Sequence, residues 1–472
     1  MDGIRSVTGS RRFARGTMDR AEIDAARPEP LTPGKPMALA RARMAQTGQW
    51  HDRQSMGRRW PIGCVALEIT QRCNLDCTLC YLSDHSEAVK DIPLAEVLRR
   101  IDAIRAHYGP RTEVQVTGGD PTLRDRAELV RIIRHVRRAG MQPNLFTNGI
   151  RATRDLLTEL AAAGLADVAF HVDTTQERKG YPDEASLNAI RMEYLDRARG
   201  FGLRVVFNTT VHDGNLAQIP DVVRFLVEHA AEVSLASFQL QAATGRGVAG
   251  GTEGLVSIPG VAAQIQRGAS ARINFDTPLA GHGDCNRHAL TLVAGGAVLD
   301  LYDDPKLLAT VLAETADLKL ERMTRLGATL AFLRRVVTRP ALARVLVPAA
   351  WRKLRQFRGP IWAARGRVHR LAFFLHNFMD AESLCRERIG ACVFTVQTAE
   401  GPISMCLHNA KRDAFILKPL EVAGAGWWDP LTGQTNAAGV MPAEPRLTVK
   451  NARGRRRLEI RHQAPETGAR VQ

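Results

Sequence analysis

From residue 61 onward, short apolar runs alternate with longer segments whose apolar residues recur at helical spacing. Apolar positions three and four residues apart line one face of a helix, whereas a short run between turn residues favours a buried strand. The predicted strands are 65–69, 114–116, 144–146, 168–172, 205–209 and 234–240. The predicted helices between them are 94–107, 126–139, 154–163, 184–200 and 219–229. This alternation predicts an α/β fold, a partial (βα) TIM-like barrel with parallel strands.

The barrel pattern occupies only part of the chain, so the sequence divides into several predicted segments. In a parallel barrel, functional residues are expected at the carboxyl ends of the strands. The predicted segments are a flexible basic leader (1–60), the partial barrel (61–243), a connecting segment that carries Cys285 (244–317), a basic amphipathic helical insert (318–375), a C-terminal cysteine region (376–420) and a polar tail (421–472).

Charge and cysteine content narrow the class of protein. The 65 Lys and Arg exceed the 49 Asp and Glu, for a formal net charge of +16, which indicates an anionic partner. The sequence shows neither a signal-peptide core nor a run of apolar residues long enough to cross a membrane. We therefore expect a reducing, cytoplasmic setting in which the clustered cysteines bind metal and do not form disulfides.

Three cysteines directly follow the first predicted strand. Cys73, Cys77 and Cys80 are separated by three and then two residues, and Tyr81 comes next. This spacing lets one loop surround an iron–sulfur cluster. Three thiolates leave one iron of a four-iron cluster open for a small molecule. The alternative is zinc, which normally takes four ligands, and no nearby Cys or His completes such a set.

The cysteine motif resembles the signature of the radical S-adenosylmethionine (SAM) superfamily. The resemblance implies that Cys73, Cys77 and Cys80 hold a 4Fe-4S cluster and that Tyr81 lies near the adenine of SAM. In that family the open iron binds the amino and carboxylate groups of SAM, and reductive cleavage yields a 5′-deoxyadenosyl radical. The resemblance also implies an electron donor such as ferredoxin or flavodoxin.

Two further motifs follow the next strands. Gly118, Gly119 and Asp120 resemble the Gly-Gly-Glu-Pro segment that binds the SAM amino group in that family, with Asp in place of the usual Glu. Glycines allow close backbone approach, and a carboxylate can bind a cationic amine. Asn148 lies in a Thr-Asn-Gly segment that the family often shows, although Asn-Gly is also typical of a plain turn.

Polar residues at the ends of later strands are candidate lining residues. Alternation along a strand places His171 and Asp173 on one side, and they are the candidate catalytic residues. Asn208 and Gln239 recur among apolar neighbours as barrel-lining residues would, and are candidate cofactor-binding residues. The alternatives are a His–Asp pair that stabilises the strand end, and polar residues that face solvent.

The remaining downstream cysteines suggest a second metal site. Cys385, Cys392 and Cys406 lie close together in sequence, and Cys285 precedes them. Four thiolates would fully ligate an auxiliary 4Fe-4S cluster. Zinc, with nearby histidines as ligands, is the alternative, and a single Cys is often only a small buried apolar residue.

The segment 376–410 carries a narrower resemblance. Its Phe-Met-Asp, Glu-Arg and Cys-Leu-His-Asn sequences are similar to the C-terminal part of tetraether lipid synthase-like and methanopterin-type methyltransferase-like radical SAM proteins. Cys392 and Cys406 match that pattern, whereas Cys385 stands where those proteins usually have another residue.

The predicted insert holds most of the excess positive charge. Residues 318–370 contain fourteen Lys and Arg and one acid, interleaved with Leu, Val, Phe and Trp. A basic helix with a Trp/Phe/Leu face is typical of an anionic membrane surface. A solvated basic helix packed on the barrel is the alternative. A nucleic-acid surface is disfavoured because no RNA-binding module is evident.

Together these patterns predict a radical SAM enzyme that abstracts hydrogen from an unactivated C–H bond. The favoured substrate is a lipid or isoprenoid-like molecule, modified by C–C bond formation or methylation, with the enzyme peripheral to the inner face of the membrane. One alternative is a peptide-modifying enzyme with an auxiliary cluster. The other is an iron–sulfur or zinc binding protein without catalysis.

Overall fold

A computed structural model of the chain describes residues 16–247, 256–277, 279–318 and 325–436. Within them, the strands are β1 Cys64–Thr70, β2 Glu113–Gly118, β3 Gln142–Thr147, β4 Asp167–His171, β5 Arg204–Val211, β6 Val233–Leu240, β7 Asn286–Ala294, β8 Ala297–Asp300, β9 His369–Asn377, β10 Phe394–Gln397, β11 Pro402–Ser404, β12 Leu420–Val422, β13 Gly426–Trp428 and β14 Thr435–Asn436.

The helices lie mostly between the strands of the barrel and after it. They are α1 Arg20–Ala25, α2 Pro36–Gln46, α3 Leu94–Tyr108, α4 Arg126–Arg138, α5 Arg154–Ala163, α6 Asn188–Ala198, α7 Ile219–Glu228, α8 Ile258–Ala269, α9 Pro305–Glu314, α10 Arg325–Thr338, α11 Pro340–Ala363, α12 Arg386–Gly390, α13 Met405–Ala410 and α14 Asp413–Ile416. None of the described helices is long and apolar enough to cross a membrane.

The main sheet confirms the predicted partial barrel. Its strand order is β11-β10-β1-β2-β3-β4-β5-β6-β9-β7-β8, and neighbouring strands from β1 to β6 are parallel. Parallel neighbours require a crossover, and α3, α4, α5, α6 and α7 supply these connections. The two ends of the sheet do not pair with each other in the described part, so the barrel stays open.

Helix α4 shows how local sequence produces these units. Asp125 caps its first turn by accepting a hydrogen bond from the backbone N–H of Glu128 at 3.0 Å. Its buried residues recur at helical spacing and pack on the sheet, whereas its Arg-rich face is outside. These buried residues are Leu129, Ile132, Ile133 and Val136.

C-terminal strands extend both sides of the six-stranded unit, which the sequence pattern did not reveal. β9 pairs in parallel with β6, and β10 pairs in parallel with β1. The predicted connecting segment (244–317) contributes α8, α9, β7 and β8, and β9 begins inside the predicted helical insert. The barrel sheet is therefore completed by residues far beyond position 243.

The prediction of a flexible leader over 1–60 is corrected for the described residues 16–60. Helix α1 has a capping box between Asp19 and Glu22, and Ile23 is buried. The ammonium of Lys411 donates to the carbonyl of Ile23 at 3.0 Å, and Arg386 pairs with Glu22. The polar sequence hid this order because these contacts are made to the C-terminal part of the chain. Residues 1–15 and 437–472, the latter most of the predicted tail, lie outside the described residues.

One buried ion pair fixes the end of β4. Arg191 of α6 is fully buried and contacts Glu184 at 2.5 Å. The same guanidinium donates to the carbonyl of Val172 at 2.9 Å, just after β4. A buried charge needs its partner, so this contact couples α6 to the strand end where site residues are expected.

We expect Arg191→Ala to lower the free energy of unfolding by about 3–5 kcal/mol, because it leaves the Glu184 carboxylate buried without its countercharge. Urea denaturation followed by circular dichroism measures the change. The matched control is Arg199→Ala just after the same helix, whose ion pairs are exposed. The control should leave the midpoint nearly unchanged, and an equal loss in both variants would contradict the argument.

Candidate functional site

The three cysteines of the motif lie in the loop after β1 and border one cavity. Cys73, Cys77 and Cys80 are each partly exposed. They line a cavity of about 1300 Å³ that runs inside the curved sheet. The cavity also reaches Gly118, Asp120, Asn148 and His171, so residues from four strand ends meet at this site. We call the cavity the lumen.

Two glycines let the cysteine loop lie against the end of β2. A Cβ atom on Gly118 would stand 2.0 Å from the carbonyl oxygen of Thr70, and one on Gly119 would stand 2.0 Å from that of Arg72. Such distances are impossible for real atoms, so only glycine fits. The backbone N–H groups of Gly119 and Asp120 donate to these same two carbonyls, each at 2.8 Å. The sequence predicted that these glycines let the backbone approach a neighbour closely, and in the structure that neighbour is the cysteine loop.

The Asp120 carboxylate joins β2 to β3. Its Oδ1 accepts from the backbone N–H and the hydroxyl of Thr122 at 3.0 and 2.5 Å. The Thr147 hydroxyl donates to Oδ2 at 2.9 Å, and the backbone N–H of Asn148 donates to Oδ2 at 2.8 Å. The carboxylate also lines the lumen, and its binding of the SAM amino group stays a prediction. Asp120 has a shorter side chain than the usual Glu, so its carboxylate stays close enough to bind the backbone of its own loop.

Asn148 lies directly beside the cysteine loop. Its Nδ2 donates to Oδ1 of Asn74 at 2.7 Å and lies 3.9 Å from Sγ of Cys73. Its side chain therefore orients the first cysteine of the motif, which is more than an Asn-Gly turn requires.

Tyr81 is held by a group that the sequence did not single out. Its hydroxyl donates to the carbonyl of Gly118 at 2.5 Å, and the guanidinium of Arg412 lies 4.7 Å from the ring centroid. Arg412 is buried and pairs with Glu68 at 2.7 Å. Burial alone would raise the pKa of Glu68, but the Arg412 charge lowers it to about 2. A C-terminal residue thus stabilises the tyrosine of the motif.

Arg246 is a second buried cation beside the motif. Its guanidinium donates to Glu87 at 2.8 Å. Burial alone would lower the pKa of Arg246, but the charges at Cys80 and Glu87 hold it above its usual value. A Cβ on the preceding Gly245 would stand 2.3 Å from the carbonyl carbon of Tyr81. Arg246 therefore offers a positive charge to a thiolate at Cys80. Its only sequence signal is the glycine on each side.

His171 and Asp173 form a hydrogen-bonded pair at the end of β4, as their alternation predicted. His171 Nε2 lies 2.6 Å from Asp173 Oδ2, and Asn208 Nδ2 lies 3.1 Å from His171 Nδ1. Burial alone would lower the pKa of His171, but the Asp173 charge holds it above its usual value. The backbone N–H of Thr210 also donates to Asp173 at 2.7 Å. The imidazole borders the lumen and Asp173 is fully buried behind it.

Gln239 of β6 also borders the lumen, between Thr210 of β5 and His376 of β9 in the strand register. Lining residues on β4 and β5 alternate in sequence, as barrel-lining residues should. They are Asp167, Ala169 and His171 on β4, and Arg204, Val206, Asn208 and Thr210 on β5.

The structure brings together three of the four downstream cysteines. Burial raises the pKa of Cys406 to about 12, and Cys392 and Cys285 are both among its charged neighbours. Nε of Arg388 lies 3.1 Å from Sγ of Cys285. Cys385 directly precedes α12, and its backbone N–H contacts the sulfur of Met379. Cys385 packs against the apolar cluster that contains Cys406, and its role as a fourth ligand stays a prediction.

Among the described residues, no three His, Cys, Asp or Glu side chains form a group placed to hold a single metal ion. In a four-iron cluster each thiolate binds a different iron, so its ligands need not converge on one point. The lumen is bordered by three thiols and by a backbone contact that only glycine permits, and the buried cations Arg246 and Arg412 lie beside the cysteine motif. These features fit an anionic cluster bound by thiolates better than they fit one zinc ion.

Comparisons with known proteins agree with the cysteine motif. The PqqA peptide cyclase of Bradyrhizobium diazoefficiens is 30% identical over 172 residues, which are 36% of this chain and 44% of the relative. The 7,8-dihydro-6-hydroxymethylpterin dimethyltransferase of Methanocaldococcus jannaschii is 27% identical over 186 residues, 38% of this chain and 36% of the relative. The chain thus spans less than half the length of these curated relatives.

Among solved structures, SuiB of Streptococcus suis bound to the precursor peptide SuiA has a TM-score of 0.32 and 14% identity, covering 43% of this chain and 42% of that chain. The family model of the radical SAM superfamily matches residues 67–226, which include all three motif cysteines and every strand end described above up to β5. Residues 67–226 of the chain are therefore a radical SAM domain.

Proposed function

We propose that the chain cleaves SAM reductively and uses the resulting radical to abstract hydrogen from a C–H bond of a substrate bound in the lumen. The observation that carries this proposal is that Cys73, Cys77 and Cys80 border the same cavity as Asn148 and His171. When bound, a 4Fe-4S cluster and SAM supply the electron and the adenosyl radical.

The chain's own residues would position these groups and exclude water. Cys73, Cys77 and Cys80 would ligate the cluster, with Arg246 beside Cys80 to offset thiolate charge. Tyr81 and Arg412 form a wall of the same cavity. A protein electron donor, ferredoxin or flavodoxin, remains part of the proposal.

His171 is proposed as a cationic group at the lumen wall. As placed, Asn208 turns Nδ2 toward the imidazole, and its Oδ1 is buried with no hydrogen-bond partner in the described structure. Amide orientation is an assignment, and a rotation of 180° would let Oδ1 accept from Nδ1–H. A protonated His171 would thus satisfy both neighbours, Asp173 at Nε2 and Asn208 at Nδ1.

Cys285, Cys392 and Cys406 are proposed to hold a second iron–sulfur cluster. Arg388, whose guanidinium contacts Cys285, also donates to the carbonyl of Asn377. A half-buried cation directed at a thiol favours the thiolate form that metal requires. Three protein thiolates would leave one iron for a non-protein ligand. Zinc is the alternative occupant.

Two substrate classes have specific support. The relatives named as PqqA peptide cyclases support a peptide. A lipid is supported by the surface of α10 and α11, which exposes large apolar side chains and has no acidic residue in 325–363. The exposed residues are Leu326, Leu330, Leu333, Val337, Val347, Trp351, Leu354 and Trp362. The comparisons favour an enzyme over a purely metal-binding protein.

Replacing Cys73, Cys77 and Cys80 together by Ala should abolish formation of 5′-deoxyadenosine from SAM, because no loop thiolates remain to hold the cluster. Anaerobic turnover with dithionite, followed by chromatography, measures the product. Cys64→Ala is the control, since Cys64 is buried in β1. Undiminished cleavage in the triple variant would refute the proposal.

Anaerobically reconstituted protein should contain about eight irons, and replacement of Cys285, Cys392 and Cys406 by Ala should leave about four. Cys385→Ser tests the predicted fourth ligand: it should keep both clusters if three thiolates hold the second one. Metal analysis by mass spectrometry measures this. About four irons in the intact protein, together with one zinc, would assign the second site to zinc.

NMR titration should find the pKa of His171 above 6.5, and Asp173→Asn should lower it. Because the pKa is raised in the folded state, the pair stabilises the fold fully below about pH 6.5 and loses this contribution as pH rises through the folded pKa. The control is Asp102→Asn, whose partner His135 is half-buried and outside the lumen, and it should leave the pKa of His171 unchanged. A His171 pKa that is insensitive to Asp173→Asn would contradict the pairing.

A further inference from the structure

The lumen extends from the cysteine loop to the opposite, amino-terminal ends of the strands. It is lined there by Glu113 of β2, Asp167 of β4 and Arg204 of β5. On β4 alone it runs from Asp167 to His171, about 13 Å at the usual rise per residue. A site that only needed SAM would be confined to the carboxyl ends, so the depth of the lumen suggests a second, elongated occupant.

One wall of the lumen is a continuous stripe on β9. Its lining residues alternate along the strand and include the residue just after it; they are Arg370, Ala372, Phe374, His376 and Phe378. From Arg370 to Phe378 this stripe is about 26 Å long at strand spacing. Arg370 is exposed and stands at the amino-terminal end, whereas Phe378 is near the cysteine end.

Beyond Arg370, the stripe is apolar in spite of its histidine. The ring of His376 stacks on Phe374 with centroids 4.3 Å apart and lies parallel to Phe378 at 5.6 Å. Burial lowers the pKa of His376 to about 3, so the imidazole is neutral at physiological pH. Phe394 of β10 adds another ring, 4.7 Å from His376. These aromatic rings are only partly buried and line the lumen.

The amino-terminal end of the lumen is next to the basic helices. Leu308, Val311 and Leu312 of α9 line the lumen there. α9 packs against α11, and Arg339, between α10 and α11, lies 3.9 Å from Glu314 of α9. The α10–α11 unit with its exposed apolar side chains is therefore connected through α9 to this end of the lumen, although none of its described residues lines the lumen. Nine Lys and Arg and no acid in 325–363 make this surface complementary to an anionic bilayer.

We propose that the lumen binds an anionic lipid that enters from the bilayer at the amino-terminal end, with its headgroup at Arg370 and its hydrocarbon chain along the β9 stripe. A carbon of the chain would then lie at the cysteine end. This assignment rests on the proposed function for its chemistry, but the binding itself requires neither cluster nor SAM.

The test uses 11-(dansylamino)undecanoic acid, an anionic probe whose fluorescence rises in apolar surroundings. We expect saturable binding to the full chain, weakened at least about tenfold by Arg370→Glu and abolished by Ala372→Phe, which fills the stripe. Arg367→Glu is the charge control, three residues away and outside the lumen, and Ala372→Ser is the volume control. Both controls should bind within about twofold of the original chain.

A second arm uses vesicles of phosphatidylglycerol and phosphatidylcholine. The exposed Arg334, Arg344 and Arg355, changed together to Glu, should reduce co-sedimentation at least about tenfold while free probe still binds. Equal probe binding by the original chain, Arg370→Glu and Ala372→Phe would overturn the proposal, as would displacement of the probe by an unstructured peptide but not by anionic vesicles.

The triple variant of Cys73, Cys77 and Cys80 separates this inference from the proposed function. It should bind the probe with unchanged affinity although it does not cleave SAM. SAM cleavage by the original chain without probe binding would refute the lipid site alone. Probe binding without any SAM cleavage would refute the proposed function and leave the lipid site standing.

Discussion

The close approach of the cysteine loop to the end of β2 is the constraint on which the rest of the site depends. Gly118 and Gly119 bring the two backbones together, because any Cβ would overlap the carbonyls of Thr70 and Arg72. Once they meet, Asp120 reaches the start of the loop after β3, and Asn148 reaches Cys73. The backbone contact thus helps to position the thiol of Cys73. The buried Asp120 carboxylate links this contact to the loop after β3 through a network of hydrogen bonds.

The C-terminal part of the chain completes the site and is not an appendage to it. β10 pairs with β1, and Arg412 joins Glu68 to the tyrosine that follows the cysteines. β9 pairs with β6 and supplies the aromatic wall of the lumen. The 67–226 domain by itself therefore has only the polar wall, and the segment that follows it determines what else the lumen can bind.

The features that sequence predicted are those fixed by neighbours along the chain. Helix periodicity placed α3, α4, α5 and α7 within a few residues, and the cysteine spacing located the motif. Contacts between distant segments had no local signal: Arg412 lies 344 residues from its partner Glu68. The ligand role of Cys385 stays a prediction, because closeness in sequence suggested it and the side chain packs against the apolar cluster that contains Cys406.

Two histidines on different walls of the lumen show that one wall is polar and charged and the other is largely apolar. Both are removed from bulk solvent, yet Asp173 raises the pKa of His171, whereas burial among aromatic rings lowers that of His376 to about 3. The difference is a single carboxylate, since His376 has only the amide of Asn286 as a hydrogen-bond partner in the described structure. The β4–β5 wall can therefore stabilise charge and orient polar groups. Apart from Arg370 at its amino-terminal end, the β9–β10 wall offers mainly dispersion and stacking. A molecule with a polar reacting partner on one side and a long apolar chain on the other would satisfy both walls at once, and neither a wholly polar nor a wholly apolar occupant would.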